Sequence, residues 1–113
     1  MTDASLAHFP PDIRQAHARW LATHDPDALD LVIEAVVARH LPGREPGQPL
    51  ARLDDSARLI DDLGYDSLAI AEIVFFIEDL YGVAISNQDL RSIRTIGELR
   101  GFTRQRIAAP AAN

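Results

Sequence analysis

The 113-residue sequence contains no cysteine and no lysine, and only one tryptophan and one methionine. Without cysteine there is no disulfide framework and no thiolate metal site. All eleven basic residues are arginine. The Gly- and Pro-containing stretch Pro42-Gly43-Arg44-Glu45-Pro46-Gly47-Gln48-Pro49 therefore lacks the Lys-Ser/Thr that completes a phosphate-binding loop. No apolar run approaches the ~20 residues of a membrane-spanning helix. The start, Met1-Thr2-Asp3-Ala4-Ser5, has no basic region followed by an apolar core, so no secretory signal is read there and a cytoplasmic location is expected. The length suits one small domain, and a monomer is expected.

What charge there is lies unevenly. From Asp54 to Asp79 eight acids (Asp54, Asp55, Asp61, Asp62, Asp66, Glu72, Glu78, Asp79) face one Arg58, a local −7, whereas Arg91 to Arg106 holds five Arg against Glu98, a local +4. An acidic surface of this kind repels nucleic acid, which is excluded as a partner, and steers basic protein patches toward it. The plainer reading is a solvated polar helix face that meets no partner.

Helical periodicity accounts for most of the chain. Residues 1 to 9 read as loose. A helix begins near Pro10-Pro11-Asp12, carries Ile13, Ala16, Trp20 and Leu21 on one face, and ends near His24-Asp25-Pro26. This segment either packs Trp20 onto a bundle or docks a dedicated partner. His17 and His24 on it have no adjoining ligand set, so no metal site is read. A core helix starts at Asp27-Ala28-Leu29, with Leu29, Val32, Ile33, Val36 and Val37 in a stripe running to His40-Leu41. The Pro/Gly loop after it ends the helix, and Leu50, Leu53, Leu59, Ile60 and Leu63 are expected to anchor it. The most apolar helix follows Ser67, with Ile70, Ile73, Val74, Ile77 and Tyr81 on a core stripe. That stripe leaves Leu68 and Phe75 at the margin and places Phe76 in the interior. Ser86 or Asn87 is expected to cap a brief turn through Ile93. Thr95 with Glu98 forms a capping box for a last helix closed by Ile96, Leu99, Phe102 and Ile107.

The stretch Asp62-Leu63-Gly64-Tyr65-Asp66-Ser67-Leu68 organises the rest. It reads as the end of a short helical turn, with Gly64 in the left-handed position, Asp66 as N-cap and Ser67 at the first helical position. A hydroxyl there lies beside unpaired N–H groups and the positive end of the helix dipole, a favourable place for a phosphate ester. Catalysis is not indicated, because neither a neighbouring His nor a Gly-x-Ser-x-Gly elbow accompanies Ser67.

Leu63-Gly64-Tyr65-Asp66-Ser67-Leu68 resembles the Leu-Gly-x-Asp-Ser-Leu attachment motif of acyl carrier proteins, and the order and spacing of the segments over residues 28 to 107 resemble that family as well. The resemblance implies an all-α, four-helix bundle with a long first loop. Here it would be preceded by an N-terminal extension, residues 1–27, with its extra helix, and followed by a flexible tail, residues 108–113. It implies that Ser67 carries 4'-phosphopantetheine derived from coenzyme A, and that Asp66 helps place the magnesium of a phosphopantetheinyl transferase. The arm's thiol would hold cargo as a thioester, supplying the thiol chemistry that the chain lacks. An attached acyl chain would tuck between the Ser67 helix and the last segments. Leu68, Glu72, Phe75, Glu78 and Asp79 would meet partner enzymes: the transferase, an acyl- or aminoacyl-loading ligase, and synthases or acyltransferases. Ala69, where an acid is common, and Tyr65, where a small residue is frequent, depart from the family pattern. They point to a specialised carrier in a lipid, fatty-acid or polyketide-type pathway. An aminoacyl or peptidyl carrier, and an unmodified helical adaptor, are the alternatives.

Overall fold

The computed structural model describes residues 6–45 and 52–108. It is all-helical: α1 Pro11–Thr23, α2 Pro26–Arg39, α3 Ser67–Tyr81, α4 Asn87–Arg91 and α5 Ile96–Thr103, the last running into a single π-helical turn, Arg104–Ala108. Among the described residues the only extended pairing is an isolated antiparallel bridge between Arg58 and Thr95.

Local chemistry sets the helix starts. Pro11 and Pro26 occupy first-turn positions, where a missing N–H costs nothing. Asp25, Ser86 and Thr95 cap α2, α4 and α5, and the last two caps are reciprocal boxes with Asp89 and Glu98. α2 is the central element. Leu29, Val32, Val36 and Val37 are wholly enclosed, as the expected stripe requires, and Ala28, Ala35 and Ala38 are buried as well. Burial extends beyond one stripe because α1 covers one side of α2 while α3 and the turn Arg104–Ala108 pack on its other sides.

The first residues differ from the loose start expected of them. Leu6 and Phe9 are each only 2% exposed. Their turn is pinned by an Arg14 guanidinium donating to the Phe9 carbonyl (2.7 Å), and Arg39 lies over the Phe9 ring. The buried stripe of α1 is Ile13, Ala16, His17 and Trp20; Leu21 lies one step outside it and is exposed. Trp20 is packed into the bundle rather than presented outward.

In the long connection, Leu53 and Leu59 are buried anchors and Leu63 is half-buried. Ile60 is instead 63% exposed, and Leu50 lies outside the described residues. The connection is held mainly by polar ties that spacing does not reveal. Buried Glu34 on α2 accepts from the Leu53 N–H (2.8 Å) and pairs with Arg100 and Arg52. Backbone bonds Leu59 N–H to Arg94 O, Ile96 N–H to Ala57 O and Gly97 N–H to Asp55 O zip residues 55–59 against 94–97. A Cβ at Gly97 would sit 3.1 Å from the Asp55 carbonyl, so a glycine there permits the approach.

The basic segment is largely neutralised from within. Arg100 binds Asp55 and Glu34, Arg104 binds Asp27 and Asp30, and Arg106 binds Asp89. Ala108 belongs to the final turn and packs against the core, while 109–113 lie outside the described residues.

Candidate functional site

The site is built at the start of α3. Residues 59–63 form successive turns rather than a regular helix, and Gly64 (φ +79°) reverses the chain in the left-handed region that glycine adopts without strain. Its N–H donates to the Ile60 carbonyl. Tyr65 then drops into the core, 1% exposed, with its hydroxyl donating to the Val37 carbonyl of α2 and its N–H to the Leu59 carbonyl. Burial pushes the Tyr65 phenol well above its ordinary pKa.

With Tyr65 anchored inward, the next residues face out. Asp66 is extended (φ −99°, ψ 179°), and its Oδ1 accepts from the Ala69 N–H at 2.8 Å, the N-cap expected of it. Ser67 is the first residue of α3 and is exposed. Among the described residues no hydrogen bond engages its hydroxyl. The N–H groups of Ser67 and Leu68 at this helix end have no intrahelical acceptor, so the local dipole favours an anion attached there.

The neighbouring residues separate into two sets. Leu68 (69% exposed) and Phe75 (63% exposed) project outward seven residues apart, with exposed Glu72 between them and exposed Asp79 one turn further on. These four share one face of α3. Glu78 is half-buried, its carboxylate accepting from the Ile85 N–H at 2.7 Å, which fastens the link after α3. Phe76 points inward, its ring 5.8 Å from that of Phe9 and 6.4 Å from His40.

One turn beyond Ser67, Ile70 opens onto a cavity of about 600 Å³ bounded by α3, residues 58–61, α4 and the start of α5. Its inner wall is aliphatic, including Ile73, Val74, Ile77, Ile93 and Leu99. Charged side chains on its lining are Arg58, Asp61, Arg91 and Arg94. An unengaged hydroxyl at a helix N-terminus, beside an apolar cavity, fits a phosphodiester-linked arm whose far end bears an apolar cargo.

The sequence read the caps of α3, α4 and α5 correctly, but it started α2 at Asp27 where Asp25 is the cap, and it missed Tyr65 as a core residue. Its signal, an aromatic between Gly64 and Asp66, is intelligible only once its partner on α2 is known.

Residues 43–102 match the family described as the phosphopantetheine attachment site. The acyl carrier protein of Rhodococcus erythropolis is 34% identical over 76 residues, covering 67% of this chain and 78% of that protein. That of Thermotoga maritima is 33% identical over 57 residues, 50% of this chain and 70% of its own. Acyl carrier protein MbtL of Mycobacterium tuberculosis is 46% identical over 50 residues, 44% of this chain and 60% of its own. A helical bundle in the expected order, with an attachment-site family match over more than half the chain, places this protein in the acyl carrier protein family, whose members bear covalent 4'-phosphopantetheine.

Proposed function

We propose that Ser67 is the attachment residue and that the chain is a specialised acyl carrier, modified and loaded by other enzymes. The observation that carries this is the exposed, unengaged Ser67 hydroxyl at the first position of α3, inside the matched segment. In the transferase, Ser67 Oγ forms a bond to the phosphorus bearing the pantetheine of coenzyme A. The pyrophosphate P–O bond to the nucleotide breaks, and the serine proton leaves to a base of the transferase. Asp66 has one carboxylate oxygen engaged in capping and a second available to help place that enzyme's magnesium. Once attached, the arm supplies a thiol that carries acyl groups as thioesters, and it brings them to successive enzymes at high effective concentration.

The carrier unit takes residues 28–107, with 1–27 an added N-terminal segment and a cytoplasmic setting. Partner enzymes, a loading ligase and synthases or acyltransferases among them, meet Leu68, Glu72, Phe75 and Asp79, with Glu78 supporting the same helix from its inner side. The chain is a substrate rather than a catalyst, since Ser67 stands beside Asp66 with no imidazole next to it in sequence. The aliphatic wall of the cavity favours an acyl cargo over an aminoacyl one. The test is intact-protein mass after incubation with coenzyme A, magnesium and a broad-specificity phosphopantetheinyl transferase. One phosphopantetheine is expected on the native chain and none on Ser67→Ala, whose stability should lie within about 0.5 kcal/mol of the parent. Modification of the variant would refute the assignment.

A further inference from the structure

α4 is a cavity wall with no core of its own. None of its five residues is buried, yet Leu90 and Arg91 line the cavity, as does Ile85 in the link before it. The wall opposite is zipped by backbone hydrogen bonds to residues 94–97, and the α3 wall is fixed by burial of Ile73, Val74 and Ile77. A helix this short has little stability in isolation, so ties from elsewhere decide where it sits.

Ile85 and Ile93 on either side of α4 pack on the core, and two polar ties from elsewhere reach the segment among the described residues. Glu78 of α3 accepts from the Ile85 N–H (2.7 Å). From the other side, the Arg106 guanidinium donates through Nη1 to the Ala84 carbonyl (2.8 Å) and through Nη2 to Asp89 Oδ1 (3.3 Å), while stacking 4.8 Å over the Phe102 ring. Asp89 divides its carboxylate, with Oδ2 accepting from the Ser86 N–H to close the cap of α4 and Oδ1 taking Arg106. The two anchor points each precede a cavity-lining residue, Ala84 before Ile85 and Asp89 before Leu90. One side chain at the end of the bundle thus spans both ends of the segment that encloses the cavity.

We propose that Arg106 is a positioning residue for the cargo, a latch that holds α4 as the outer wall of the cavity and sets how firmly an acyl chain is enclosed. This rests on the reading of the cavity as the cargo's resting place. The latch is partly open to solvent, with side-chain exposures of 41% for Arg106 and 25% for Asp89, so it closes the wall reversibly.

Amide hydrogen exchange of the full apo chain tests the latch without any cargo. Arg106→Gln is expected to raise exchange at residues 86–91 roughly five- to thirtyfold, with the amides of α2 unchanged. Arg106→Lys, which keeps the charge, should fall between the two and stands in if the glutamine variant does not fold. In a second arm, octanoyl- and acetyl-loaded holo proteins are cleaved with hydroxylamine. The native chain should protect octanoyl more than acetyl, and Arg106→Gln should lose that difference. Unchanged exchange at 86–91 overturns the latch itself. Raised exchange with no octanoyl protection in the native chain overturns the cavity reading instead, leaving Arg106 a structural tie without a role toward cargo.

Discussion

The two ends of α3 have opposite surroundings. At its C-terminal end, Phe76 packs on Phe9, and Tyr81 stands edge-on to His17 and Trp20, so the N-terminal segment covers this end. At its N-terminal end, Ser67, Leu68 and Glu72 are exposed, and the nearest buried aromatic, Tyr65, belongs to the preceding turn. The same helix is therefore clamped at one end and presented at the other. α1 packs away from Ser67, enlarging the core without covering the residue proposed to carry the arm. Packing at the clamped end fixes the helix and leaves the presented end, with the Ser67 hydroxyl, open to an approaching enzyme.

Substitutions at the two ends should separate stability from loading. Trp20→Ala, at the clamped end, is expected to cost about 3–5 kcal/mol in urea unfolding. The molecules that remain folded should accept phosphopantetheine at the native rate; slowed loading by folded protein would mean that α1 shapes the site. Asp66→Ala, at the presented end, should cost only about 1 kcal/mol through loss of the cap. It should slow modification roughly 10- to 100-fold if Asp66 helps place the transferase's metal. A change in stability alone would reduce Asp66 to a cap.

Tyr65 crosses this division, because it neighbours the site in sequence yet belongs to the core. Tyr65→Phe should cost about 1 kcal/mol, since the Val37 carbonyl keeps the His40 N–H as a donor. The folded phenol holds its proton to higher pH than the unfolded one, so its contribution is complete below about pH 10 and is lost as pH rises beyond it. The phenylalanine variant should therefore lose stability less steeply in that alkaline range. The smallest expected effect is that of Glu72→Lys: a few-fold slower loading at low ionic strength, fading as salt screens the acidic face. A salt-independent change would point to direct contact rather than steering.

Much of this arrangement was legible because it is local. Asp66, Ser86 and Thr95 cap helices through N–H groups three residues away, and the α2 stripe follows from a single period. The residues misread depend on distant partners. Phe9 is held by Arg14, Arg39 and Phe76, and Tyr65 by a carbonyl on α2. Glu34 reads as one polar residue among apolar ones until Leu53 and Arg100 supply its partners. Ile60 reads as an anchor by composition, but the turn that directs Tyr65 inward leaves it outside. In the proposed site, the motif singles out Ser67, whereas the inward bond of Glu78 required the position of Ile85.

The central claim, that the presented start of α3 bears the arm, is tested most directly by locating the modification. Cleavage after arginine releases residues 59–91 as one peptide, whose only serines are Ser67 and Ser86. Fragmentation mass spectrometry of that peptide from the modified protein should place a single phosphopantetheine on Ser67. Its appearance on Ser86, or on any other peptide, would contradict the account.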